Sequence, residues 1–147
     1  MQAPAYLVAR DLPGALWIMP HPPSDKLAEA LAGYAARGID TIVSMLPPDE
    51  ASELGLGNED ALCASQDLAF VNYPIVDLTA RIRAGEAVAV HCRAGIGRSG
   101  MVTACTLIAL GDDTGDAVRM VSKARGVSIP DTVTQADFIA GFATSLK

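Results

Sequence analysis

Apolar and polar positions switch between two periods along this chain, and the switches mark its elements. Short apolar runs at Ala5–Val8 and Ala15–Met19 read as strands, with Asp11-Leu12-Pro13-Gly14 as the turn between them. Met19-Pro20-His21-Pro22-Pro23 is a rigid loop, because proline restricts both itself and the residue before it. Ser24 is placed to cap a helix in which Leu27, Ala30, Leu31, Tyr34 and Ala35 recur at helical spacing as far as Gly38. Thr41–Leu46 reads as a strand stopped by Pro47-Pro48, with short helices following at 49–55 and 58–66. Ala69–Tyr73 is the next strand, and Pro74 begins a loop. Ala87–Val90 is a further strand, and Met101–Leu110 a buried helix. Asp112-Asp113-Thr114 caps a helix running to Arg125-Gly126, with Ala117, Val118 and Val121 as its apolar positions. A last helix at 132–146 carries Phe138, Ile139, Phe142 and Leu146 on one face. Strands alternating with helices, then helices alone, predict an α/β fold: a mostly parallel central sheet flanked by helices.

Composition narrows the picture. The 147 residues suit one domain over 1–147 with a substantial core, and 50% apolar against 19% charged residues marks a globular chain. A net charge of −6 argues against a nucleic acid or an anionic membrane as partner. Three cysteines, Cys63, Cys92 and Cys105, do not make a secreted disulfide framework. The N-terminus lacks a basic region followed by an apolar core, so no signal peptide is expected, and the run at 101–110 is too short to span a bilayer. The expected compartment is a reducing cytoplasm. His21 has no metal-ligand spacing, and no His/Cys/Asp cluster suggests a metal.

The chemistry is concentrated in His91-Cys92-Arg93-Ala94-Gly95-Ile96-Gly97-Arg98-Ser99-Gly100. This stretch lies between the strand at 87–90 and the central helix, so it reads as a loop entering a helix N-terminus. Such a loop turns backbone N–H groups inward, and the helix dipole adds partial positive charge; a tetrahedral oxyanion fits there. The same nest drives a thiol towards thiolate. Arg98 closes it with a planar fork for two phosphate oxygens. The bland reading is a Gly-rich turn holding an inert buried cysteine.

These residues resemble the active-site loop of the cysteine-dependent protein tyrosine phosphatases, in the dual-specificity-like bacterial branch, with the pattern His-Cys-x-x-Gly-x-Gly-Arg-Ser/Thr-Gly. Every fixed position is present. The resemblance extends to Leu46–Leu56, to Tyr73-Pro74-Ile75-Val76-Asp77, which looks like a loop ending in a catalytic acid, and to Ala117–Arg125 with Thr134–Phe138. One departure stands out. Asp77 lies only fifteen positions before Cys92, a shorter gap than most relatives have. A parallel crossover needs on the order of a dozen residues, so the helix would have two turns at most and the acid loop would be taut. A deletion, natural or engineered, or an exchange of elements between two chains would each explain it.

The resemblance implies a phosphatase acting on phosphotyrosine in proteins, either alone or together with phosphoserine and phosphothreonine, a choice set by pocket depth that the sequence leaves open. Cys92 would attack phosphorus to give a phosphocysteine, and the loop residues Arg93, Ala94, Gly95, Ile96, Gly97 and Arg98 would hold the equatorial oxygens. Asp77 would protonate the leaving group, or else merely cap Thr79 and Ala80. Ser99 would donate to the departing thiolate and also serve as N-cap of the central helix. His91 would orient the loop or be a core histidine, and Gln135 would position the hydrolytic water or be a solvated helix residue. Arg93 would meet acidic residues of the substrate or be solvated. Cys63 and Cys105 are buried apolar residues or partners that trap an oxidised Cys92. This mechanism needs no cofactor and no metal. Two other functions compete: a phosphoinositide or inositol phosphate phosphatase, disfavoured by a single basic residue at the loop's variable positions, and a phosphate-binding module whose turnover is impaired by the shortened acid segment. The sequence leaves the oligomeric state open.

Overall fold

A computed structural model describes residues 2–10, 12–72 and 75–146, with the side chains of 75–77 excepted. Five strands, β1 (Tyr6–Ala9), β2 (Ala15–Met19), β3 (Thr41–Ser44), β4 (Ala69–Asn72) and β5 (Ala87–His91), form one sheet in the order β1-β2-β5-β3-β4. β1 pairs antiparallel with β2, and every other pairing is parallel. The predicted class is therefore the one observed. Among the described residues there are seven α-helices: α1 (Leu27–Ala36), α2 (Pro48–Glu53), α3 (Glu59–Ser65), α4 (Ile75–Arg83), α5 (Gly97–Ala109), α6 (Thr114–Arg125) and α7 (Val133–Ser145).

The strands read as unbroken apolar runs because the sheet is covered on both faces. Successive side chains point to opposite faces. Leu16, Ile18, Val43, Val88 and Val90 pack with Leu78 and Ile82 of α4, Val102 and Leu107 of α5, Ala117 and Val121 of α6, and Ile139 of α7. Met19, Ile42 and Ala89 pack the other way, against Leu27, Leu31 and Tyr34 of α1 and Cys63 of α3. Met19 and Ser44 stand in register with His91, and Ser44 with Asn72, so the parallel strands end together. The loop leaving β5 thus opens at the centre of the sheet's carboxyl edge, where α/β folds place their ligands.

Three local expectations are corrected. Ser24 does not cap α1; it opens a short 3-10 turn at Ser24–Lys26, because the rigid Pro22-Pro23 pair delays the helix to Leu27. The segment before β5 contains a nine-residue helix, α4, and its residues 75–77 form the first turn where an acid loop was expected. Leu78 and Ile82, one helical turn apart and both fully buried, anchor α4; each contributes about 2 kcal/mol by burial. The expected loop start at Pro74, like Tyr73, lies outside the described residues. The third correction concerns the central helix, which begins at Gly97, so Ser99 is its third residue and not its N-cap; Ile96 holds that position without a side-chain bond.

Candidate active site

Cys92 follows β5 directly and is 3% exposed. Gly95 turns the chain at φ +73°, which lets α5 start two residues later. The carbonyls of this loop are held from outside. The His21 N–H donates to the Arg93 carbonyl at 3.1 Å. The Arg125 guanidinium, at the end of α6, donates to the Ala94 and Gly95 carbonyls at 3.0 and 3.2 Å and lies over the Tyr6 ring at 4.6 Å. A trans peptide places C=O and the following N–H on opposite sides. The N–H groups of Ala94, Gly95 and Ile96 are therefore turned away from these donors, towards the loop's interior. The first N–H groups of α5, without intrahelical acceptors, lie at the same end.

Arg98 is gripped by Glu50 of α2, with Nη1 to Oε2 at 2.7 Å and Nη2 to Oε1 at 3.4 Å. Arg93, more exposed, stands 3.7 Å from the same carboxylate. Beneath the loop, Ser99 is fully buried, and its Oγ has no hydrogen-bond partner among the described residues. His91 is also fully buried; Nε2 lies 2.7 Å from Glu59 Oε2 and Nδ1 lies 3.2 Å from the Cys92 carbonyl.

Gln135 sits over the same loop but is committed locally. Its Oε1 accepts from the Asp131 and Thr132 N–H groups at 3.1 and 3.2 Å, and its own N–H donates to Thr132 Oγ1, which closes a capping box at the start of α7. A Cβ at Gly97 would meet Gln135 Nε2 at 3.0 Å and Asp131 Oδ2 at 2.9 Å, so both side chains overhang that glycine. Asp77 lies in the first turn of α4, five residues beyond β4 and at the sheet edge that carries Cys92; its side chain is outside the described residues. Sequence reasoning missed Glu50, Glu59, Arg125 and Asp131 as members of this neighbourhood. Glu50 lay inside the quoted Leu46–Leu56 segment, a signal available but not used.

The two remaining cysteines are poor nucleophiles. Burial pushes the Cys63 thiol up to about 12, with Glu59 and Asp60 adding to the effect, and pushes Cys105 up to about 11. A thiol so raised stays protonated at pH 8. Iodoacetamide at that pH should label the folded protein at Cys92 alone, and Cys63 and Cys105 only after unfolding; peptide mapping by mass spectrometry checks the count.

A middle strand that delivers a cysteine into such a loop, on a sheet of this order, defines the dual-specificity type of protein tyrosine phosphatase fold. The chain belongs to the PTP-SAK family (Swiss Army Knife protein, DSP-PTPase phosphatase domain), whose profile matches residues 12–128. Among solved structures it is similar to kinase associated phosphatase with its catalytic cysteine replaced by serine, at TM-score 0.87 and 18% identity over 99% of this chain and 97% of that one. It is also similar to human DUSP28, at TM-score 0.70 and 20% identity over 99% and 97% of the two chains. PTPMT1 in complex with PI(5)P matches at TM-score 0.74 and 14% identity, over 97% and 96%. Identities this low speak for the fold. No curated protein matches the chain by sequence. Among the described residues, no helix is long and apolar enough to cross a membrane.

Proposed function

We propose that this chain is a metal-independent phosphatase for phosphotyrosine in proteins, with phosphoserine and phosphothreonine as further substrates, acting through a phosphocysteine on Cys92 as a one-domain enzyme. The observation that carries this reading is the outward anchoring of the Arg93, Ala94 and Gly95 carbonyls, which aims consecutive N–H groups beside the thiol. In the first step the Cys92 thiolate attacks phosphorus in line. The S–P bond forms, the P–O bond to the leaving group breaks, and Asp77 gives that oxygen its proton. The loop N–H groups of Arg93, Ala94, Gly95, Ile96 and Gly97, with the Arg98 fork, hold the equatorial oxygens as charge spreads onto them. In the second step water attacks phosphorus, Asp77 takes its proton, and the S–P bond breaks. Ser99, whose buried hydroxyl has no hydrogen-bond partner among the described residues, donates to the sulfur that leaves. Gln135 contributes its Nε2 face to the water's side, because its Oε1 is occupied by the helix cap.

The rim argues against a polyanionic inositol phosphate. Its basic side chain at a variable loop position, Arg93, already faces Glu50, and the Asp131 carboxylate overhangs Gly97. An added phosphate would meet that carboxylate.

The test is steady-state hydrolysis of a phosphotyrosyl peptide with a chelator present and Cys92→Ser as the control. Turnover in the parent alone supports the reading. No turnover in either, with the variant still binding peptide, would leave a phosphate-binding module. Asp77→Asn separates the acid's role: a loss on the order of 10²-fold is expected on phosphotyrosine and a smaller one on an activated aryl phosphate, whose leaving group needs no proton. Equal losses would remove Asp77 from that role.

A further inference from the structure

Glu59 is a carboxylate at the first position of α3, only 2% exposed, in a place where an unpaired charge would be costly. Its Oε2 meets His91 Nε2 at 2.7 Å, a length typical of a charge-assisted bond. The other ring nitrogen, Nδ1, faces the Cys92 carbonyl at 3.2 Å. A carbonyl only accepts, and so does an ionised carboxylate. With Glu59 ionised, both ring nitrogens must donate, and the ring is then an imidazolium one residue from the nucleophile.

This contact also completes the loop. Holding the Cys92 carbonyl from beneath turns the Arg93 N–H to the opposite side of that peptide. His91 does for Cys92 what Arg125 and the His21 N–H do for the next three carbonyls.

We infer that Glu59 is a positioning residue for the reaction proposed above: by fixing His91 as an imidazolium bonded to the Cys92 carbonyl, it aims the Arg93 N–H and favours the Cys92 thiolate. The inference rests on the phosphocysteine reading, since only a nucleophilic Cys92 gives the arrangement a purpose. Glu59 touches no substrate and acts through the ring.

The other ionisable groups near the pair are accounted for. Tyr34 of α1 and Cys63 of α3 feel the Glu59 charge; burial raises both, Cys63 to about 12, so neither titrates between pH 5 and 9. Asp60 adds to the field at Cys63, and Arg37 to that at Tyr34. On the loop side the charged groups among the described residues are Glu50, Arg93 and Arg98, held to one another, Arg125, which donates to the Ala94 and Gly95 carbonyls, and Asp131, which overhangs Gly97.

The readout is the rate of Cys92 alkylation by iodoacetamide against pH, with Cys92→Ser to identify the reacting thiol. Glu59→Gln keeps the shape of the side chain and removes its charge. Its alkylation midpoint should rise by about one pH unit, and the acidic limb of kcat/KM should move with it. Glu59→Asp should recover part of the shift. Glu59→Gln in a His91→Gln background should add no further shift; additive shifts would show that Glu59 does not act through the ring. A folded Glu59→Gln protein with the parent's profile overturns the inference and leaves the phosphatase reading standing. If the parent's Cys92 fails to react ahead of an ordinary thiol at neutral pH, the nucleophile reading itself falls. One measurement needs no variant of the pair. In the ¹⁵N spectrum of the parent at pH 7, with His21→Gln to assign the second histidine, both His91 ring nitrogens should carry protons. A singly protonated ring overturns the inference.

Discussion

Replacing Cys92 by serine lowers turnover of a phosphotyrosyl peptide by on the order of 10⁴-fold or more, while peptide affinity stays within about threefold. A serine hydroxyl is not ionised near neutral pH, so it needs a base, and the preceding histidine cannot be one. His91 precedes the nucleophile in the chain, but its Nε2 is bonded to Glu59 and its Nδ1 to the carbonyl of residue 92. Neither nitrogen is available to take a hydroxyl proton, which sets this site apart from a serine–histidine pair. The groups that bind phosphate do not depend on the sulfur. Glu50 still grips Arg98, and Arg125 still holds the carbonyls of Ala94 and Gly95. Single-turnover hydrolysis together with calorimetric titration of the peptide separates the two effects. Residual turnover above about one per cent would count against a covalent intermediate.

The same comparison shows what could be read from the chain alone. The loop was legible because its working parts are consecutive: a strand end, a cysteine, two glycines and an arginine at a helix start need no knowledge of the rest of the fold. β2 and α6 were legible from apolar spacing, α6 with a cap at Asp113, and α7 was legible as a helix, but of the four residues expected on its apolar face Ile139 and Phe142 pack on the core while Phe138 and Leu146 are exposed. The first turn of α4 was not, because Pro74-Ile75-Val76-Asp77 after a strand has the look of a turn, and only the packing of Leu78 and Ile82 under the sheet draws those residues into the helix. The supports of the loop were hidden for a different reason. Glu50 lies 48 positions from Arg98, Glu59 lies 32 from His91, and Arg125 lies 30 from Gly95. On a surface those charges would be ordinary, and tertiary structure alone brings each to its partner. Gln135 shows the reverse: its capping signal, Thr132-x-x-Gln135, was present in the sequence, yet the same side chain also reaches Gly97.

The loop's backbone is the part least able to tolerate change, and Gly95→Ala should have the largest structural effect of any single methyl group there. Its φ of +73° lies in the left-handed region, which costs an L-residue roughly 1–2 kcal/mol. The added Cβ would also lie 2.3 Å from the Met19 carbonyl oxygen, 2.4 Å from its carbon and 2.6 Å from the Pro20 nitrogen. These are backbone atoms between β2 and a proline-rich loop, so no side chain can swing aside; crowding of this kind adds about 1–3 kcal/mol. Together the variant should lose about 2–5 kcal/mol and melt roughly 10 °C lower. The displacement also pulls the Gly95 carbonyl from Arg125, and with it the Ile96 N–H that shares its peptide, so inorganic phosphate should no longer protect Cys92 from alkylation. Gly97→Ala is the discriminating control. The atoms nearest its Cβ would be the ends of the Asp131 and Gln135 side chains, and Asp131 is exposed and able to turn away, so stability should fall by much less. If the two variants melt alike, the strain at Gly95 does not set the loop. If Gly95→Ala keeps both the parent's melting temperature and its protection by phosphate, outward anchoring of the carbonyls is not what aims the N–H groups at the substrate.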